Sequence, residues 1–275
     1  MITKTIDGVS FDLQEDFDFE FLSDYGRVFK VYDQQDSGNL CFGVQSAERK
    51  RFVKLAGAST VRSNTSPDEA VSRMKGTISI YEDLSHPALI QLIGHKEVNG
   101  GYITVFDWFE GDCMGRQYAS HARFETLPLT EKLNIFHEIV LFHIHVHSRG
   151  YIAIDFYDGC ILYDFERKQM MLCDIEFYSK NKPIINTMGR MWGSSRYMSP
   201  EEFQQGAVID ERSNVYLMGA AAFQLFGGGT DRSREAWRAG DELYPIALKA
   251  VQAEKAERYS SINEFHSAWT EALAR

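Results

Sequence analysis

The chain has 275 residues, 44% hydrophobic and 25% charged, a balance that supports a folded core and argues against disorder as the main state. With Lys plus Arg at 29 and Asp plus Glu at 39, the net charge is −10, which disfavours a nucleic-acid backbone as the principal partner. At about 150 residues per domain, the length allows one large domain or two modest ones. Cys41, Cys113, Cys160 and Cys173 form no C-x-x-C pair and read as reduced thiols. The first eight residues lack the apolar run of a secretory signal, and the apolar stretch from Val215 to Phe226 is interrupted by Gln224 and too short to span a bilayer. A cytoplasmic protein away from membranes is expected.

Strands are predicted at Phe29–Tyr32, Leu40–Val44 and Arg51–Leu55, separated by polar turns as in an antiparallel meander. Ser66-Pro67-Asp68-Glu69 is a helix start, with Ser as N-cap and Pro at the first helical position. Val71, Met74, Ile78 and Tyr81 then recur on one helical face. Further strands are predicted at Ala88–Ile93 and Tyr102–Phe106. Beyond about Thr130 the pattern turns helical: Leu133–His147, a short strand pair at Cys160–Tyr163 and Met170–Cys173, an all-round apolar helix at Val215–Leu225, and an amphipathic helix at Ile262–Leu273.

Several motifs follow one another in a telling order. Arg51-Phe52-Val53-Lys54 stands where a V-A-I-K strand would, and His86-Pro87-Ala88-Leu89-Ile90 where H-P-N-I-V would. His147 to Asp155 runs into a catalytic loop, Asp174-Ile175-Glu176 replaces D-F-G, and Gly193 to Glu201 matches G-T-x-x-Y-M-A-P-E. Asn214-Val215-Tyr216-Leu217-Met218-Gly219 is similar to D-V-W-S-L-G, and Arg258 completes the set. From Val28 to Leu273 the chain therefore resembles a eukaryotic-type Ser/Thr protein kinase.

The resemblance implies an α+β, bilobal fold: an N-lobe at 1–107 with an antiparallel sheet and one helix, and a helical C-lobe at 108–275. The lobes would join at about Asp107 to Asp112 and enclose a cleft. It also implies ATP and Mg²⁺ as cofactors and a protein as substrate or partner. Lys54 would neutralise the α- and β-phosphates, Asp155 would accept the substrate hydroxyl's proton, and Asp174 would hold Mg²⁺. Gly38, Asp107 and Phe109 would contact the nucleotide. Glu201 and Arg258 resemble the family's structural ion pair.

The departures bear on activity. The turn from Asp33 to Gly38 keeps one glycine where a phosphate loop needs several, and its two Asp side chains would repel a triphosphate. Tyr25-Gly26-Arg27-Val28 looks more like the motif, but it lies 28 residues before Lys54, too far for the hairpin. Phe52 replaces the small residue that leaves room for adenine. Thr77 falls where the helix Glu partner of Lys54 belongs, Ala153-Ile154 replace His-Arg, and Cys160 replaces the metal-binding Asn. A neutral thiol is a poor Mg²⁺ ligand. Asp158 and Glu176 are extra acids; Asp174 and Glu176 could share a cation if their backbone stays extended. The bland alternative for both is a solvated loop acid. His143 and His147 share a helix face, but a structural role is favoured because no third ligand is near in pattern.

Two readings are nearly balanced: an ATP/Mg²⁺-dependent Ser/Thr-type phosphotransferase with an atypical site, and a pseudokinase that binds a partner protein. The retained Lys54, Asp155 and Asp174 tip the balance toward the first. A small-molecule phosphotransferase of the aminoglycoside-kinase type is disfavoured by Ser199-Pro200-Glu201 and Arg258.

Overall fold

The computed structural model describes residues 1–34, 37–180 and 183–274, so Gln35 and Asp36 of the expected phosphate turn lie outside the described residues. The chain divides into two compact units, one of residues 1–85 and 90–109, the other of residues 86–89 and 110–275.

In the first unit, β1 (Ile2–Ile6) and β2 (Val9–Leu13) form a hairpin around Asp7-Gly8. Both turn residues have positive φ, 52° and 88°, which suits the right-handed twist of the two strands. A five-stranded antiparallel sheet follows, built from β3 (Arg27–Tyr32), β4 (Asn39–Gln45), β5 (Lys50–Ala56), β6 (Leu92–Val98) and β7 (Gly101–Asp107). Its order is β3-β4-β5-β7-β6.

Because strand side chains alternate, the sheet has two differently occupied faces. One carries Phe42, Val53, Leu55, Ile103 and Val105, and against them pack Phe11 and Leu13 of the N-terminal hairpin and Leu22 after it. The other receives α1 (Pro67–Asp83), whose buried residues are Ala70, Met74, Thr77 and Tyr81. Ser66 caps α1 by accepting from the Glu69 N–H at 3.3 Å. Gly43 has a packing reason to lack a side chain: a Cβ there would come within 2.7 Å of Phe29 and 2.9 Å of Trp108.

The strand expected at 88–93 forms later, as β6, because Pro87 and the His86 side chain shape a turn first. His86 Nδ1 accepts from the Ala88 N–H at 3.1 Å, and the Leu89 N–H donates to the His86 carbonyl at 3.0 Å. The Leu172 N–H donates to the Ala88 carbonyl at 2.7 Å, which ties residues 86–89 to the second unit. Gly94 to Glu97 then carry no alternation because β6 is a sheet edge.

The second unit holds β8 (Asp112–Cys113), α2 (His121–Glu125), α3 (Leu129–Ser148), β9 (Ile161–Asp164), β10 (Gln169–Leu172), β11 (Ile184–Ile185), β12 (Val208–Ile209), α4 (Glu211–Phe226), α5 (Tyr244–Ala250) and α6 (Ile262–Leu273). The expected strand pair appears as β9–β10, joined by β8, whose two residues are too few to show a pattern. From Ser213 to Phe226 every residue of α4 but Gln224 is buried. Phe136 of α3 links the helices, with its ring 5.5 Å from Phe226 and 4.7 Å from Trp269. Among the described residues, no helix is long and apolar enough to cross a membrane.

Candidate active site

Lys54 lies in the middle of β5, opposite Cys41 on β4 and Thr104 on β7, on the face that receives α1. Phe52 shares that face. Its ring is 5.9 Å from Tyr32 and 6.4 Å from Phe106, and Phe106 is 4.9 Å from Tyr81. An apolar aromatic column therefore runs beside Lys54. Thr77 is buried on α1 and donates its hydroxyl to the Met74 carbonyl at 2.8 Å. None of the buried residues of α1 is acidic.

Gly38 has φ 81°, and a Cβ on it would approach Thr65 at 3.2 Å and Ser63 at 3.3 Å. Gly38 therefore lies close against the segment before α1. The Arg62 Nε–H donates to Gln34 Oε1 at 2.7 Å, and the Asp33 carboxylate accepts from the Asp12 N–H at 3.4 Å. The Asp107 carboxylate pairs with Arg51 at 3.0 Å and its N–H donates to the Gln91 carbonyl at 3.1 Å. Phe109 closes the first unit.

In the second unit, Asp155 and Asp174 both adopt left-handed backbone, with φ of 63° and 60°. Cys160 connects them. Its thiol is directed at the carbonyl oxygens of Asp155 (3.6 Å) and Asp174 (3.9 Å), and its own carbonyl accepts from the Cys173 N–H at 2.9 Å. Burial, then the neighbouring Asp174 charge, pushes this thiol well above its ordinary pKa. It is therefore neutral at physiological pH.

The segment leading into Asp155 is held by α4. Asn214 Oδ1 accepts from the Ala153 N–H and Nδ2 donates to the Ala153 carbonyl, both at 2.8 Å. Asp155, Ser194, Glu202 and Asn214 line a cavity of about 10 Å³, roughly the size of one water. The Ser199 N–H and hydroxyl donate to Glu202 Oε2 at 2.6 and 2.7 Å. Burial nevertheless raises the Glu202 carboxyl to about 7.

Asp158 is neither a solvated loop acid nor an open metal ligand. Its two oxygens accept from Arg196 Nη1 at 2.9 Å and Nη2 at 2.8 Å, and the pair is largely buried. The extended stretch that would let Asp174 and Glu176 share a cation does not form either. Asp174 is left-handed, and the Tyr178 N–H closes a turn onto the Ile175 carbonyl at 3.1 Å. Among the described residues, no group of three or more His, Cys, Asp and Glu could hold a metal ion. Asp155 and Asp174 carry hard carboxylate oxygens and the Cys160 thiol does not, so a Mg²⁺ held here would need further oxygen ligands from phosphate or water. His143 is occupied as a structural residue: its Nδ1–H donates to the Ile139 carbonyl at 2.7 Å and Nε2 accepts from the Tyr178 hydroxyl at 3.0 Å. His147 pairs with Glu211 at 3.0 Å.

Four contributors were not visible as site residues. Arg196 sits inside the Gly193 to Glu201 motif, which other positions define, and Glu202 directly follows it. Asn214 was seen only as a motif match. Tyr157 covers Gly159, where a Cβ would lie 2.4 Å from its ring. Burial, then its closeness to Cys160 and to the Asp174 and Asp155 carboxylates, raises the Tyr157 phenol, so it stays neutral.

The family model described as the protein kinase domain matches residues 26–267. The chain belongs to the protein kinase domain family. The domain is 27% identical over 158 residues to the probable serine/threonine-protein kinase kinX of Dictyostelium discoideum, covering 58% of this chain and 14% of that protein. It is 22% identical over 193 residues to the serine/threonine-protein kinase BCK1/SLK1/SSP31 of Saccharomyces cerevisiae, covering 69% of this chain and 13% of that protein. It is 22% identical over 249 residues to the serine/threonine-protein kinase PknD of Chlamydia felis, covering 74% of this chain and 27% of that protein. The kinase domain therefore spans a minor part of the length of these relatives. The Glu201–Arg258 pair is fully assembled in it, with two charge-assisted bonds of 2.8 and 2.9 Å and a third bond to Glu201 from Ser213 at 2.7 Å.

Proposed function

We propose that the chain is a protein kinase-type phosphotransferase that acts on hydroxyl groups of a protein and works with a reduced set of metal ligands. The observation that carries this reading is the backbone at Asp155 and Asp174. Among the described residues, four non-glycine positions have positive φ. Asp7 and Lys168 serve hairpin turns, between β1 and β2 and between β9 and β10. Asp155 and Asp174 serve none. Left-handed backbone costs a non-glycine residue about 1–3 kcal/mol, at the low end for Asp, and such strain gathers where a side chain must be fixed for chemistry.

In this reading Lys54 offsets phosphate charge, Asp155 takes the proton of the attacking hydroxyl, and Asp174 offers a hard oxygen donor. Mg²⁺-ATP, when bound, supplies the transferable phosphoryl group. Gly38, Asp107 and Phe109 belong to its contacts, Asp107 and Phe109 through their backbone. Glu176 has no role in it.

A second reading is favoured by Cys160 and Phe52: a kinase-fold protein that binds a partner and transfers nothing. Thermal unfolding with and without ATP plus Mg²⁺ or Mn²⁺ separates the two. A nucleotide at 100 times its Kd adds about 2.7 kcal/mol to stability. The phosphotransferase reading expects a shift that Asp174→Asn abolishes. No shift at millimolar nucleotide removes that reading and leaves the scaffold.

A further inference from the structure

A separate pocket of about 550 Å³ opens in the second unit between α2, the start of α3 and the end of α4. This is the size range of ligand sites. In a chain of net charge −10, its lining has a cationic excess: Arg116, Lys132 and Arg238 against Glu125 and Asp158. Asp158 is already matched by Arg196 from outside the lining at 2.8 Å and lies 4.0 Å from Arg116 Nε. His121 stands 3.6 Å from Glu125.

The wall holds an unusual donor. Gln224 Oε1 accepts from Arg116 Nη2 and from Arg196 Nη1, each at 3.0 Å, which fixes the orientation of the amide. Its Nε2 is buried and has no hydrogen-bond partner among the described residues. A buried amide N–H without an acceptor is destabilising, and an incoming oxyanion would supply the missing acceptor. Gly229 lies against the same groups: a Cβ there would be 3.1 Å from Arg116 Nη2 and 3.2 Å from Gln224 Nε2. The glycine leaves room that a side chain would fill.

We propose that this pocket takes an oxyanion side chain, carboxylate or phosphate, of a docked peptide, with Arg116 and Gln224 Nε2 as its donors and Lys132 and Arg238 supplying longer-range attraction. The occupant is peptide because the pocket adjoins the activation segment through Tyr197 and the catalytic loop through Asp158. This deepens the phosphotransferase reading by naming an acidic or already phosphorylated substrate class, and rests on that reading only for calling the peptide a substrate.

The test is fluorescence anisotropy on the full chain, without nucleotide and at low salt. The labelled peptides share an Ala/Gly/Ser background and carry three Glu, one phosphoserine or three Lys. The Glu or phosphoserine peptide is expected to bind about tenfold or more tighter than the Lys peptide, and the stronger of the two identifies the natural oxyanion. Arg116→Glu should lower that affinity about tenfold or more. Gln224→Glu keeps the acceptor for both arginines and removes the amide donor, so it should weaken acidic binding with the melting temperature retained. Equal binding of acidic and basic peptides overturns the proposal. So does insensitivity to both variants, or a site that inorganic phosphate fills as well as any peptide. Nucleotide enters only the thermal-shift experiment, so loss of the phosphotransferase reading and loss of the peptide pocket are distinguishable outcomes.

Discussion

At the scale of single residues, Cys160 is the side chain whose chemistry weighs most. Its thiol spends its hydrogen-bonding capacity on the carbonyls of two left-handed aspartates, Asp155 and Asp174, and offers no hard donor. Cys160→Asn restores an oxygen donor at similar volume, so the thermal shift produced by ATP plus Mg²⁺ should grow. An unchanged or smaller shift would show that the loop cannot use one. Glu202 makes a different prediction. Its carboxyl is raised to about 7 by burial, while the unfolded value is near 4.3. The folded state therefore binds more protons across this window, and stability falls as pH rises from about 4.3 to 7. Glu202→Gln should flatten the dependence of Tm on pH in that range; an equally steep dependence in the variant would assign it to other groups.

At the scale of elements, the activation segment is locked by side chains reaching from α4 and from beyond α5. Arg258 is fully buried and donates to Glu201, to the Arg212 carbonyl and to the Gln252 and Ala253 carbonyls. Burial works to raise Glu201, yet the bonds from Arg258 and Ser213 outweigh it and hold the carboxyl below its ordinary value. Its stabilising contribution is therefore present above the unfolded pKa and is lost as pH falls through the folded one. Arg258→Met strands this carboxylate and should cost about 3–5 kcal/mol in denaturant unfolding at neutral pH. A loss below about 1 kcal/mol would mean that Lys255, 3.7 Å from Glu201, takes over.

This pair was legible in the sequence because both residues stand in motifs with fixed places. The Arg196–Asp158 pair was not, since 38 residues separate partners that no local pattern relates. Helices were legible where an N-cap and an apolar face agreed, as at Ser66 and Met74. The strand expected from Ala88 was misplaced because apolar residues in a turn mimic a strand, while the charged edge strand β6 mimics a loop. The cation site expected at Asp174 and Glu176 presupposes extended backbone, and side-chain identity does not announce a left-handed aspartate.

At the scale of the whole molecule, the family match begins at residue 26, yet the core of the first unit begins earlier. Phe11 and Leu13 are 3% and 0% exposed, and Phe11 stacks edge-on against Phe42 at 5.7 Å. Phe11→Ala should destabilise the protein by about 3–5 kcal/mol, measured by denaturant unfolding. A loss under about 1 kcal/mol would make the hairpin an ornament on a self-sufficient sheet.

The same hairpin sets a schedule for synthesis. Phe11 leaves the ribosome 94 residues before Val105, a member of the core it joins. At 5–20 residues per second the apolar face of β1 and β2 waits roughly 5–20 s for its sheet. During that interval it is a bare two-stranded ribbon, too small to be stable alone, with open edges. Slower translation lengthens this exposure and faster translation shortens it. The segment outside the family match is thus the part of this core that waits longest for its partners.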